Sequence, residues 1–124
     1  MLKKLFPTPA DISRTSNHTV YTETLGVLNA TLLPIGFELV QESHGGLGAL
    51  ALFKKGNLGA RLFLDLRDDI CVFSAKSGGV RTWTNPHGEE KNSKYDLYLY
   101  LSEPDIRERF PSELGRWLKE HDSH

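Results

Sequence analysis

The sequence predicts an α+β fold, in which a helix precedes about five antiparallel strands and a second helix follows them. Three observations support this class. Apolar residues early in the chain recur with the period of a helix, the middle alternates apolar and polar residues in short runs, and helical spacing returns near the C-terminus. A chain of 124 residues is expected to form a single domain, spanning residues 1–124.

The first helix is predicted from one apolar stripe. Residues 1–16 are rich in Pro, Ser and Thr and predict an irregular N-terminal arm, after which Asn17 is a suitable N-cap. The stripe that follows consists of Tyr21, Leu25, Leu28 and Leu32. Pro34 and Gly36 predict the end of this helix, and we expect its stripe to pack on a sheet.

Five alternating segments predict the strands. They read "GFELVQES", "ALALFKK", "ARLFLDL", "ICVFSAK" and "YDLYLYL". Short turns join the first four, which favours an antiparallel meander. A short extended piece, "VRTWT", and a long polar loop, "NPHGEEKNSK", precede the last strand.

The last helix is predicted to begin with Pro111 at its first position, because the missing N–H of proline has no partner there in any case. Leu114, Trp117 and Leu118 supply its apolar face. We expect this helix and the first one to cover one face of the sheet.

Composition excludes several classes of protein. Fifteen Lys and Arg against 16 Asp and Glu leave a net charge of −1, without the basic bias of a nucleic-acid-binding protein. The single cysteine, Cys71, cannot form an internal disulfide, which suits a reducing compartment, and it is expected to be a packing residue. No run approaches the ~18 apolar residues of a membrane span. We therefore expect a cytoplasmic protein without a metal site or other cofactor.

The charged segment Arg67-Asp68-Asp69 stands between two predicted strands. Its simplest interpretation is a hairpin turn, since Asp side chains accept hydrogen bonds from nearby backbone N–H groups and tolerate unusual φ angles. A second interpretation has Asp65, Asp68 and Asp69 converge on Mg²⁺ or Ca²⁺, which need several oxygen ligands. A third retains the turn and uses its exposed carboxylates to contact a basic partner.

The sheet face opposite the helices is expected to carry Phe63, Tyr98 and Tyr100 beside Asp65 and Asp96. This mixture of aromatic and acidic side chains is more typical of a binding surface than of a core.

The long polar loop and the short piece before it add further candidates. Trp83 is either an interface anchor or a core residue, and Glu89 and Glu90 add negative charge. The predicted partner-binding residues are Asp65, Asp68, Asp69, Trp83, Glu89, Glu90, Tyr98 and Tyr100.

The succession of "LLPIGFELVQES", "RLFLDLRDDICVFSA", a Leu-rich strand and a terminal helix resembles small immunity proteins. These proteins are encoded beside bacterial polymorphic toxins, including those of contact-dependent growth inhibition. The resemblance implies a non-enzymatic inhibitor that binds the C-terminal domain of one cognate toxin, often a nuclease. A monomer would then form a 1:1 complex with that protein, without contacting nucleic acid or membrane.

Two other functions stay open at this point. One is a metal-dependent hydrolase that uses the Asp cluster, with His44 or His87 as the base. The other is a homo-oligomeric adaptor domain, in which the aromatic sheet face pairs with a second copy of itself.

Overall fold

Two helices flank a five-stranded sheet in the computed structural model of the chain, which describes residues 9–78 and 95–122. Helix α1 is Pro9–Leu32, helix α2 is Pro104–His121, and a short 3₁₀ turn, Leu33–Ile35, follows α1. The strands are β1 (Glu38–Gly45), β2 (Gly48–Lys55), β3 (Leu58–Asp65), β4 (Ile70–Lys76) and β5 (Leu97–Tyr100). The predicted α+β class is confirmed.

The strands follow one another in the sheet in chain order, and every neighbouring pair is antiparallel. This arrangement is the predicted meander. Two residues connect β1 to β2, and two connect β2 to β3, which agrees with the short turns predicted between these strands. The register of β1 shifts between Leu39 and Gln41, which marks a β-bulge on this edge strand.

Both helices begin earlier than predicted. Helix α1 begins at Pro9, so residues 9–16 are helical and the irregular arm was wrong over that part. Helix α2 begins at Pro104, and Pro111 lies inside it although proline cannot donate to the preceding turn. The helix continues past Pro111 because Phe110 and Leu114 belong to one buried stripe. Within the described residues, neither helix combines the length and apolarity needed to cross a membrane.

The core lies between the sheet and the two helices. Alternate residues of β2 to β5 point toward the helices and are buried. The helices contribute Val20, Tyr21, Leu28, Leu32, Phe110, Leu114 and Trp117 to the same cluster. The rings of Phe73 on β4 and Phe110 on α2 meet edge to face, with centroids 5.1 Å apart. Both helices therefore cover the same face, and the meander is oriented with its other face away from them.

Candidate partner-binding surface

The sheet face opposite the helices, which we call the second face, carries two rows of side chains that cross all five strands. The strand registers define both rows. The first row is Tyr100, Val72, Phe63, Leu50 and Ser43. The second row is Tyr98, Ser74, Arg61, Leu52 and Gln41. Because neighbouring strands lie about 4.8 Å apart, each row extends for about 19 Å.

Exposure varies strongly across the second face. Among the described residues, neither helix packs on it, and Tyr98 and Tyr100 at the β5 edge are 44% and 42% exposed. In the middle of the sheet, however, Arg61, Val72 and Ser74 are buried. The exposed aromatic surface that the sequence predicts is therefore present at the β5 edge and absent from the central strand positions.

The two predicted anchors on β5 belong to a cluster of three tyrosines. The ring centroids of Tyr98 and Tyr100 are 6.2 Å apart and those of Tyr95 and Tyr98 are 5.3 Å apart. Ring–ring contacts limit the freedom of the exposed side chains, so less conformational entropy is lost when a partner packs on them.

Arg61 is a feature of the second face that the sequence reasoning did not single out. It lies on β3, the middle strand, and is 1% exposed. Its Nη2 donates to Ser74 Oγ at 3.5 Å, and its guanidinium carbon lies 5.8 Å from the centroid of the Phe63 ring. The sequence does contain a signal for this feature. Arg61 is a basic residue at a second-face position of β3, and the predicted meander places β3 at the centre of the sheet.

The charged segment Arg67-Asp68-Asp69 is a turn, and Asp65 is one of the groups that hold it. Oδ1 of Asp65 accepts hydrogen bonds from the backbone N–H groups of Arg67 at 2.9 Å and Asp68 at 3.1 Å. Asp65 itself is 9% exposed. The expectation that Asp65 offers an exposed carboxylate to a partner was wrong, because this side chain stabilises the turn from within.

Asp69 also has a structural role. Its φ of 59° places it in the left-handed region, which Asp tolerates better than most residues. Asn17 on α1 donates from Nδ2 to the Asp69 carbonyl oxygen at 2.9 Å and to its Oδ1 at 2.8 Å. Asn17 is buried within α1, so it is not the N-cap that the sequence predicted. Of the three candidate carboxylates, only that of Asp68 is on an exposed residue without such a role.

The β3–β4 turn is joined to the β1–β2 turn. The N–H of Leu66 donates to the carbonyl oxygen of Leu47 at 2.9 Å. Gly48 makes this approach possible, since its φ is +155° and an added Cβ would lie 2.0 Å from the carbonyl oxygen of Leu64. Residues 45–48 and 65–69 are therefore joined into one hydrogen-bonded unit, which we call the turn end of the sheet.

Asp96, expected on the second face, is instead tied to α2. Its Oδ2 accepts a hydrogen bond from Trp117 Nε1 at 3.1 Å and lies 3.8 Å from His121 Nε2. Partial burial raises the pKa of Asp96, but hydrogen bonds from Trp117 and Ser77 and the imidazole of His121 outweigh that effect and hold the pKa below its ordinary value. Asp96 thus fixes the start of the last strand segment to the helix that follows it.

Two other titratable groups, His44 and Cys71, lie near the turn end. His44 Nε2 lies 2.9 Å from Glu42 Oε2. Cys71 is buried, as predicted, and its burial raises the pKa of the thiol to about 12, so it is protonated at neutral pH. In the part of the chain that the structure describes, no three His, Cys, Asp or Glu side chains are grouped as ligands for a metal ion.

Three predicted binding residues, Trp83, Glu89 and Glu90, lie outside the described residues, as does His87. The structure places the other predicted binding residues in two neighbouring regions, the edge strand β5 and the β3–β4 turn. Tyr100 pairs with Val72 near the start of β4, and Asp68 lies in the turn just before that strand.

Comparison of the chain with protein-family models, with curated proteins and with solved structures gives no match. What the site can bind is therefore inferred from its geometry. Exposed tyrosine rings, one exposed carboxylate and the exposed Arg67 are held on a hydrogen-bonded frame. Such groups provide apolar contact area and charge complementarity, which are the means by which proteins recognise other proteins.

Proposed function

We propose that this protein is an immunity-type inhibitor, which binds one toxin domain and blocks its activity without catalysing a reaction. The observation that carries the proposal is that the three carboxylates of the turn have different roles. Asp65 and Asp69 hold the turn from within, and Asp68 is left exposed at its tip. A turn built in this way presents charge from a fixed position, which favours recognition over chemistry.

The physical properties of the surface support binding in three ways. The turn end is already ordered, so little entropy is lost when a partner docks. The carboxylate of Asp68 attracts a basic surface such as the substrate groove of a nuclease, which speeds association. Tyr98 and Tyr100 supply aromatic area that a partner can bury, as interface hot spots do.

The same contacts speak against the hydrolase that uses an Asp cluster. A hard cation needs several carboxylate oxygens that converge on one point. Oδ1 of Asp65 instead accepts two backbone N–H groups, and Oδ1 of Asp69 accepts the amide of Asn17. A metal ion would have to compete with these hydrogen bonds and would loosen the turn.

The proposal is tested by co-expression with the product of the gene immediately upstream. We expect protection of the cells from that product, and a complex that elutes with one copy of each chain. Asp68→Lys and Tyr100→Ala should each weaken the complex, by about tenfold for a contact worth 1.4 kcal/mol. Glu108→Lys is the matched control, since it makes the same charge change at an exposed position of α2.

Three results would count against the inhibitor. The first is the absence of both a complex and protection when the unmodified chain is co-expressed. The second is a dimer of this chain at micromolar concentration in light scattering, which would favour the homo-oligomeric adaptor. The third is thermal stabilisation by Mn²⁺ or Mg²⁺ that Asp65→Asn removes, which would favour the hydrolase.

A further inference from the structure

A cavity of about 350 Å³ opens at the turn end, between the β1–β2 turn and the β3–β4 turn. Leu50 and Phe63 line it side by side in the first row of the second face. Leu47 lines it from the β1–β2 turn and is 65% exposed, although it is a large apolar residue. The cavity is therefore apolar where the strands meet it and open to solvent at the turns.

The two turns that border the cavity are joined by a backbone hydrogen bond. The hydrogen bond between Leu66 and Leu47 fixes the two turns to each other. The buried Asp65 carboxylate also lines the cavity, but its Oδ1 is occupied by the N–H groups of the turn. A volume of 350 Å³ lies at the lower end of the range of about 300–1,000 Å³ that is usual for ligand sites.

Arg67 gives the cavity a charged rim. Arg67 is exposed and lines the cavity. Within the described residues, the ion pairs formed by cationic side chains include Lys55 with Asp122 and Arg116 with Glu113, and none involves Arg67. Its planar guanidinium can receive a carboxylate through two parallel hydrogen bonds.

We propose that this cavity receives a large apolar side chain from a protein partner, and that a carboxylate close to that side chain pairs with Arg67. The proposal rests on the proposed function and adds to it the chemistry of the partner's contact. The apolar lining selects the side chain, because burying it against Leu50 and Phe63 removes apolar surface from water. Charge complementarity selects the neighbouring acidic group, because Arg67 is the cation on the rim.

The test uses two small probes that differ only in charge, N-acetyl-L-tryptophan and its neutral amide. Each is titrated at low salt into the full ¹⁵N-labelled chain, and the amide resonances are followed by NMR. We expect saturable shifts centred on residues 47–50 and 63–67. The free acid should bind about threefold more tightly than the amide, as expected for an exposed ion pair.

Two variants make the test specific. Arg67→Gln should abolish the difference between the acid and the amide, whereas Arg109→Gln, the same change at an exposed position of α2, should preserve it. Ser43→Phe places a ring into the cavity from the edge strand β1 and should block both probes, with the remaining spectrum unchanged.

Three results would overturn the proposal: no saturable shifts, shifts centred away from the turn end, or an acid–amide difference that survives Arg67→Gln. Shifts at the turn end that depend on protein concentration, without any probe, would assign the cavity to a second copy of this chain and would also overturn it. The probe titration needs no toxin, so the two experiments can fail independently. Failure of the co-expression experiment would reject the proposed inhibitor function, but it would not change the selectivity measured for the cavity.

Discussion

The two faces of strand β5 differ strongly in solvent exposure. Leu97 and Leu99 point toward the helices and are buried, whereas Tyr98 and Tyr100 point the other way and are more than 40% exposed. Both sets follow from the same period of two, since successive side chains of a strand alternate between faces. The difference shows that alternation assigns residues to faces, while the position of the helices decides which face becomes the core.

The turn end connects the two faces. Asn17 reaches from α1, on the helix side, to Asp69 in the turn, and Asp65 on the second face accepts the N–H groups of the same turn. The conformation of the candidate binding surface therefore depends on packing on the opposite side of the sheet. Substitutions on the two faces should therefore differ in their effect on the free energy of unfolding.

Phe73→Ala should destabilise the protein most. Phe73 is completely buried and contacts the Phe110 ring, so truncation leaves a cavity beneath α2. We expect a loss of about 3–5 kcal/mol in the free energy of unfolding, measured by urea denaturation. A loss below about 1 kcal/mol would mean that the helix-covered face is not the structural core.

Asp69→Lys should destabilise by about 1–3 kcal/mol, because it removes one of the two acceptors of the buried Asn17 amide and places a less tolerant residue at φ 59°. Asp68→Lys, the matched change at the neighbouring exposed position, should alter stability by less than about 0.5 kcal/mol. The same urea experiment compares them. Equal effects would mean that Asp69 is as free as Asp68 and that α1 does not hold the turn.

The buried thiol of Cys71 should make the protein less stable in alkali. Its folded pKa of about 12 lies above the ordinary value of 9.0, so the folded chain keeps a proton that the unfolded chain releases. This contribution to stability is complete below pH 9 and is lost as the pH rises toward 12, by about 1 kcal/mol at pH 10. Denaturation at pH 7 and pH 10 measures the loss.

Cys71→Ala is the control for this pH dependence. It should reduce the difference between pH 7 and pH 10 by that amount, whatever it does to the stability at pH 7. Tyr21, whose pKa burial also raises to about 12, starts from 10.0 and contributes mainly above pH 10. An unchanged difference in Cys71→Ala would show that the thiol ionises equally well in the folded chain.

Tyr100→Ala should lower stability by less than about 1 kcal/mol, because the side chain is 42% exposed and its ring packs on the Tyr98 ring rather than in the core. Urea denaturation of Tyr100→Ala and Phe73→Ala side by side compares how much each face of the sheet contributes to the free energy of unfolding. A loss as large as that of Phe73→Ala would show that the second face is a second core, and would remove Tyr100 from the candidate binding surface.

Much of the fold could be predicted from local pattern. The alternation around Leu62 and Leu64 predicts β3, and the turn residues after it predict the reversal into β4; both are confirmed. The start of α2 was predicted poorly, because Pro104 and Pro111 are both acceptable first residues of a helix. Only the burial of Phe110 against the sheet selects the longer one.

The candidate site was predictable only in part. Tyr98 and Tyr100 are exposed, as the alternation indicates. The roles of Asp65 and Asp69 could not be read from their positions, because three neighbouring carboxylates look equivalent in a sequence. Asp65 differs because its Oδ1 accepts the backbone N–H groups of Arg67 and Asp68, and Asp69 differs because it accepts the amide of Asn17, which is 52 residues away along the chain.

The sequence by itself determined the α+β class, the order of the antiparallel strands and the place of the β3–β4 turn, because these depend on residues that are close together along the chain. The tertiary structure alone decided which carboxylate is exposed, that Arg61 is buried in the middle strand, and that Leu47 and Arg67 border one cavity. These features depend on strand register and on the docking of α1, which bring distant residues into contact.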